Sequence, residues 1–268
     1  MAMEITELAS QILLATTPIK KTKKATDLLA LWENGEVQTN AHDAAAPPIK
    51  PGRPDRPELV PFGEVQRRRL GSEQGRIALL HAIAHIEFNA INLAADMIAR
   101  FAYDKRISES DRHHFIGDWV QVCADEARHF SMIDERLASL GSFYGEHTAH
   151  NGLWEAAMAT MDDLAARLAI APMVLEARGL DVTPGMIEKL TSVGDTDSAQ
   201  ILQIIYEEEI AHVAAGSRWF SHICKRESRE PKIHFRSLVD IYYKGNLKPP
   251  FNVKARAMAG LPSEFYLA

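Results

Sequence analysis

Two Glu-x-x-His motifs, each in the middle of a stretch with helical periodicity, constrain this sequence most. The first motif is Glu126–His129 and the second is Glu209–His212. Residues three apart lie on one face of an α-helix, so each motif directs a carboxylate and an imidazole to the same side. Both motifs lie in the apolar seam that normally packs in the core. A charge there is costly unless it is paired or bound to a metal ion.

The apolar seams continue on both sides of each motif, with alternating gaps of four and three residues. Their positions are Phe115, Trp119, Val122 and Ile133 around the first motif, and Leu202, Ile205, Gly216, Trp219 and Ile223 around the second. For a single motif, a surface glutamate beside a core histidine, or a buried ion pair, is the simpler interpretation. Two such motifs in two core seams favour a metal site.

Two further glutamates extend the pattern. Glu87 is the single carboxylate in the seam of a predicted helix at about 72–103, and Glu176 lies on the inner face of a predicted helix at about 152–179. The order Glu, then Glu-x-x-His, therefore occurs twice along the chain. This is the ligand pattern of ferritin-like di-metal carboxylate bundles, in which two helices give one Glu each and the other two give a Glu-x-x-His each.

The fourth carboxylate has an alternative. Glu176 falls late in its helix and beyond Pro172, so Asp162 or Asp163 could take its place. Whichever residue is used, four carboxylates in a dry core cannot all stay ionised without compensating charge, and two divalent cations would balance them. A donor set rich in oxygen, with two imidazoles and no thiolate, suits two iron ions, with manganese as the alternative metal.

Other polar residues near the motifs have weaker assignments. Asp125 and Glu208 directly precede the motif glutamates, so each could orient a ligand imidazole from a facing helix or could be an exposed acid. Tyr206, one turn before the second motif, could donate electrons or protons, or pack in the core. His81 and His85 lie on the opposite face from Glu87, which predicts surface or inter-helix hydrogen-bonding roles.

The remaining pattern predicts an all-α protein, since strand signals are nearly absent. A ferritin-like four-helix bundle at 71–230 is expected to carry N-terminal helices and a Pro-rich arm (residues 38–62) within 1–70, and a C-terminal helical extension at 231–268. The predicted helices are 3–16, 22–36, 72–103, 108–139, 152–179, 183–193, 196–226, 231–244 and 254–260.

Composition disfavours several classes of protein without excluding a nucleic-acid partner. The net charge of −6 predicts no general attraction to polyanions, so nucleic acid is not an expected partner despite the basic clusters at Lys20–Lys24 and Arg67–Arg69. Two cysteines do not form a disulfide framework. No apolar run of about 18 residues and no signal-peptide pattern is evident, which favours the cytoplasm and no membrane span.

These motifs carry a resemblance to the ferritin-like superfamily of di-iron carboxylate proteins, and more closely to an uncharacterised bacterial family of unknown function within it. The matching stretches are His85–Glu87, Asp125–Phe130, Leu175–Asp181, Glu209–His212 with Trp219–Phe220, and Lys248–Asn252. The resemblance covers about residues 70–260. It implies a di-iron four-helix bundle.

The expected function is a non-haem di-iron oxidase or monooxygenase. Such an oxidoreductase would use dioxygen or peroxide and an electron donor to oxidise or hydroxylate a small substrate. A tRNA hydroxylase of the superfamily has a similar bundle, but the acidic balance disfavours tRNA here. Iron storage or detoxification, and a binding module stabilised by metal without catalysis, are the alternatives. Long helices with apolar outer patches favour a homodimer.

Overall fold

The computed structural model describes residues 3–40, 44, 46–65 and 71–267, and the Arg67–Arg69 cluster lies outside them. In these residues the regular structure is helical apart from two paired two-residue strands, so the predicted all-α class is confirmed. The strands are β1 (Met3–Glu4) and β2 (Val37–Gln38). The helices are α1 (Ile5–Leu14), α2 (Pro18–Glu33), α3 (Glu73–Phe101), α4 (Glu109–Ser139), α5 (Gly152–Ala159), α6 (Leu164–Ile170), α7 (Ala177–Ser192), α8 (Thr196–Arg226), α9 (Pro231–Tyr242) and α10 (Val253–Met258).

The chain forms two compact units, Met1–Trp154 and Glu155–Ala268. In the first unit α3 and α4 pack side by side as a helical hairpin. Both helices begin where the sequence predicts, because the hydroxyls of Ser72 and Ser108 accept hydrogen bonds from backbone N–H groups in the first turn. Gly141, just past α4, has φ +73°, a left-handed conformation that glycine adopts without steric cost.

The first two helices pack against this hairpin through a buried lysine. The Nζ of Lys21, which is 0% exposed, donates to the carbonyls of Ile12 (2.8 Å) and Leu13 (2.9 Å) and to Asn92 Oδ1 (2.7 Å). The two carbonyls belong to the last turn of α1, where a cation is favourable. Burial lowers the pKa of Lys21 to about 7. One side chain thus ties α1 and α2 to α3.

The described part of the Pro-rich arm is extended against the first unit. The N–H of Gly52 donates to Leu13 O at 2.7 Å. A Cβ at that glycine would lie 2.3 Å from Leu14 O, so only glycine permits this approach. Farther along, Val60 N–H donates to Ala149 O at 2.8 Å, and Arg100 Nη2 donates to Pro48 O at 2.9 Å. The predicted wrapping arm is observed in these residues.

The expectation that no segment is apolar enough for a membrane span is wrong for helix α3. Among the described residues it alone passes by length and composition, because its many Ile, Leu and Ala residues outweigh its His, Asn and acidic residues in mean hydropathy. However, 72% of its apolar window is buried inside the protein. Such burial is what a core helix shows.

In the second unit, the predicted continuous helix at 152–179 is wrong. Helix α5 ends at Ala159, and α6 begins at Leu164. Asp163 caps α6 by accepting from Ala165 N–H at 2.9 Å. Buried Arg167 spans the break, with Nε donating to Thr160 Oγ1 at 2.9 Å. A π-helical turn, Ala171–Glu176, then leads into α7.

Helix α7 also continues where the sequence predicts an end at Gly179 and a new start at Pro184. Pro184 lies inside the helix and has no N–H to donate to Leu180 O. That carbonyl instead accepts from Asn252 Nδ2 at 3.1 Å, so a side chain from the C-terminal segment replaces the missing backbone bond. Asp181, one residue later, forms a buried ion pair with Arg256 at 2.7 Å. Tertiary contacts therefore allow a helix that local sequence signals disfavour.

The π-helical turn packs tightly against α8 at Gly216. A Cβ at this glycine would lie 2.3 Å from Pro172 Cγ and 2.5 Å from Pro172 Cβ. We therefore expect Gly216→Ala to destabilise the protein by about 1–3 kcal/mol through overpacking. Urea denaturation midpoints would measure the change.

Gly185→Ala is the matched control, because nothing lies within 4 Å of a Cβ at that α7 position. It should raise stability by about 0.5–1 kcal/mol, as expected for Gly→Ala inside a helix. If both variants proved equally stable, the close contact with Pro172 would not be a packing constraint.

Candidate metal centre

In the first unit the α3–α4 hairpin brings three predicted ligands together. Glu87 comes from the middle of α3, and Glu126 and His129 from the middle of α4, and all three are buried. His129 Nδ1 lies 3.4 Å from Glu87 Oε2 and 3.6 Å from Glu126 Oε2. One ligand atom from each residue lies within 4.8 Å of the others, a spacing that could hold a metal ion.

The electrostatics of this cluster follow from its burial. Burial and then the charge of Glu126 raise the pKa of Glu87 well above its usual range, although His129 partly offsets them. Burial alone would lower the pKa of His129, but the hydrogen bonds and charges of Glu126 and Glu87 outweigh it and raise that pKa to about 11. A protonated His129 therefore offsets the charge of the carboxylates, and a metal ion could take the place of that proton.

The second unit holds the other three predicted ligands on equivalent elements. On α8, His212 Nδ1 lies 3.6 Å from Glu209 Oε2, and both side chains are largely buried. Glu176 ends the π-helical turn and is partly exposed. Since Pro172 faces Gly216 and the α7–α8 turn follows Ser192, an antiparallel register places Glu176 level with His212.

The order of a glutamate followed by a Glu-x-x-His therefore occurs in both units, and a contact between the glutamate and the motif histidine is observed in the first unit. Asp163, one alternative to Glu176, acts as a helix cap. Asp162 lies in the turn just before it. Neither is on the segment that faces the second motif, so Glu176 stays the predicted ligand.

The residues predicted around the ligands have other contacts. Asp125 accepts from Gln121 Nε2 and from Arg128 Nη2 of its own helix, each at 3.1 Å. Glu208 is partly exposed on α8. The hydroxyl of Tyr206 accepts from Asn252 Nδ2 at 2.9 Å. The supporting roles of Asp125 and Glu208 and the catalytic role of Tyr206 stay predictions.

The surface alternative for His81 and His85 is wrong, and their hydrogen bonds go to the 141–151 loop rather than to another helix. Both are buried, and burial is the main reason why each pKa falls to about 4. His81 Nε2 accepts from Gly145 N–H at 2.9 Å. His85 Nε2 donates to His150 O at 3.0 Å, which leaves Nδ1 to accept from the Tyr144 hydroxyl at 2.9 Å. The polar stripe of α3, which consists of His81, His85, Asn89 and Asn92, thus binds the 141–151 loop through its two histidines.

Sequence reasoning missed Tyr144 as the centre of this contact. Its ring packs against Phe88 and Phe130, the residues that directly follow Glu87 and His129. The signal available was the polar stripe itself, which needed a partner if it was not exposed. His150 Nδ1 also accepts from Gly152 N–H at 3.1 Å, at the start of α5.

These features define an all-α protein with a buried carboxylate–imidazole cluster that could hold a metal ion. The chain belongs to the family described as "Protein of unknown function (DUF455)", which matches residues 14–267. It is 42% identical over 207 residues to an uncharacterized protein of Haemophilus influenzae, covering 77% of this chain and 72% of that protein. No solved structure matches the chain.

We expect metal binding at the Glu87–Glu126–His129 cluster to release protons near neutral pH. The pKa of His129 is raised to about 11, so its imidazole holds a proton near neutral pH that a metal ion must displace, and the raised pKa of Glu87 acts in the same direction. Titration of metal-free protein with Mn²⁺ in weakly buffered solution with a pH indicator should show release of about one proton or more per ion. Affinity should fall as pH falls.

Glu135→Ala, an exposed position on the same helix, is the control and should leave the release unchanged. Metal binding without proton release, and with affinity independent of pH, would contradict the protonation described for this cluster.

Proposed function

We propose that this protein is a di-iron carboxylate oxidoreductase whose two metal ions are held by six side chains. The proposed ligands are Glu87, Glu126, His129, Glu176, Glu209 and His212. The observation that carries the proposal is the buried group Glu87, Glu126 and His129, with ligand atoms within 4.8 Å of one another. The second unit repeats the order of one Glu followed by a Glu-x-x-His.

The donor chemistry fits iron. Four carboxylates and two imidazoles form an oxygen-rich set that suits iron, and manganese next, better than structural zinc. Cys123, one turn before Glu126, does not join this set, because its Sγ lies 3.8 Å from Ile91 O as a donor. Burial raises the pKa of its thiol to about 12, so it is not available as a thiolate.

The proposed assembly is a ferritin-like four-helix bundle made from the two hairpins. Each hairpin contributes one Glu and one Glu-x-x-His, which is half of the di-metal pattern. A reducing cytoplasmic location fits two buried free cysteines. A homodimer is part of the same proposal, because Ile204 and Ile241 are exposed on long or amphipathic helices.

Two iron ions bound by this set would supply the electrons and open coordination positions needed to activate dioxygen or peroxide. The chain's own groups would hold the ions and control the protons. The imidazole of His129 must be neutral to coordinate, so its proton leaves on binding. Burial of Glu87 and Glu126 excludes bulk water, which strengthens electrostatic interactions within the site.

Catalysis is favoured over iron storage by the way the first unit is covered. The Pro-rich arm and α1–α2 pack over α3 and α4, whereas a cage-forming subunit needs free outer helix faces. A molecular mass in solution that corresponds to a large cage would favour storage instead.

Metal analysis should find about two iron or manganese ions per chain. Glu126→Ala should abolish binding at the first-unit cluster, because it removes a completely buried carboxylate. Mass spectrometry of the metal content, with the melting temperature before and after chelation, measures both effects. Chelation should lower the melting temperature, because ligands of the native state stabilise it.

Glu135→Ala and His81→Ala are the controls and should keep the metal. A folded wild-type protein that takes up no metal at all would contradict the proposal. A loss of metal in His81→Ala equal to that in Glu126→Ala would contradict the choice of helix face.

Anaerobically reduced, iron-loaded protein should consume dioxygen steadily when a reductant is supplied. An oxygen electrode measures the rate, and Glu126→Ala should reduce it to the background level. A single burst of consumption that deposits ferric iron would indicate detoxification. Stable metal content with no consumption would indicate a binding module.

A further inference from the structure

A second cavity system lies on the opposite face of α3, within the first unit. A notch of about 20 Å³ is lined by the arm, the polar stripe of α3 and Tyr144. An apolar cavity of about 140 Å³ lies between Phe62, α3 and the end of the 141–151 loop. His85 lines both, so the two spaces share one wall.

The notch contains a buried donor that needs an acceptor. Asn92 is 0% exposed and lines the notch. Its Oδ1 accepts from Lys21, but its Nδ2 has no hydrogen-bond partner in the described part of the chain. A buried amide N–H₂ without an acceptor is costly and uncommon in native proteins. An oxygen acceptor from a ligand would satisfy it.

The charges around the notch favour an anionic acceptor. Arg53, an exposed residue of the arm, lines it, and no aspartate or glutamate is among its lining residues. Lys21 stands directly behind Asn92, and its three hydrogen-bond acceptors are uncharged oxygens. An anion in the notch would therefore meet the Arg53 cation and one amide donor, since Lys21, whose pKa burial lowers to about 7, does not line the notch. A notch this small has no room for more than a few atoms, so the body of a ligand must extend elsewhere.

The adjoining cavity provides space for such a body. Its walls include Phe62, Ala82, Ile86 and Leu153, and its polar lining comes from Thr148 and two histidines. An apolar cavity of about 150 Å³ holds one benzene molecule. A volume of about 140 Å³ thus fits a phenyl ring or a chain of similar size.

We propose that this pair of cavities binds a small monocarboxylic acid, with the carboxylate between Asn92 and Arg53 and an apolar body of about six carbons in the cavity beyond His85. The inference that this acid is the substrate rests on the proposed function. The binding of the acid does not depend on that function, because every residue involved lies in the first unit and outside the proposed ligand set.

Calorimetric titration of the metal-free protein with hexanoate tests the proposal. Hexanoate should bind about tenfold or more tightly than 1-hexanol, because only the carboxylate accepts charge-assisted hydrogen bonds. Hexylamine should bind more weakly than either. Equal affinity for hexanoate and 1-hexanol would overturn the role of the notch, and no hexanoate binding at all would overturn the whole inference.

Three variants locate the site. Asn92→Asp keeps an oxygen for Lys21 but replaces the free donor with a negative charge, so hexanoate affinity should fall about tenfold or more. Arg53→Ala should weaken hexanoate but not 1-hexanol. Ala82→Phe, from an exposed position that lines the cavity, should block both.

Lys50→Ala is the matched control, since Lys50 is an exposed arm residue that does not line the notch. Unchanged affinity in all three site variants would show that hexanoate binds elsewhere and would overturn the assignment. Because the titration uses metal-free protein, a failure here leaves the metal assays standing, and a failure of those assays leaves this binding result standing.

Discussion

The first unit depends on one buried interaction, the contact of two carboxylates with an imidazole between α3 and α4. An ionised carboxylate without a partner in this core would be strongly unfavourable, so Glu87 and Glu126 constrain the helices to stay where His129 meets both. Burying these ionisable groups is less favourable in free energy than burying apolar side chains at the same positions. Apolar side chains of similar volume would serve packing alone equally well or better.

The second unit carries the same order of Glu and Glu-x-x-His on a less regular backbone. Its first helical segment contains two prolines and a π-helical turn, yet it still faces α8 in an antiparallel register. Two small accommodations permit this. Gly216 leaves space for the ring of Pro172, and Asn252 supplies the hydrogen bond that Pro184 removes from Leu180. The C-terminal segment is thus part of the support of the second motif.

Helix α3 carries different chemistry on two faces, which explains both its burial and its composition. One face presents Glu87 to α4, and the other presents His81, His85 and Asn92 to the loop, the arm and Lys21. Each polar group on that second face needs a partner because the arm and loop remove it from water. Among the described residues, Asn92 Nδ2 is a buried donor on this face without a hydrogen-bond partner, and the proposed binding site is built around it.

The sequence by itself determined the helical class, the limits of α3, α4 and α8, and the pairing of Glu126 with His129 and of Glu209 with His212. These follow from periodicity, capping residues and the three-residue spacing, all of which act within one helix. Only the tertiary structure decided that Glu87 meets the first motif, that the predicted helix at 152–179 is broken, and that α7 runs through Pro184. It also placed His81 and His85 in the interior. Those outcomes depend on partners distant in the chain, such as Asn252 and Tyr144, which local propensity cannot contain.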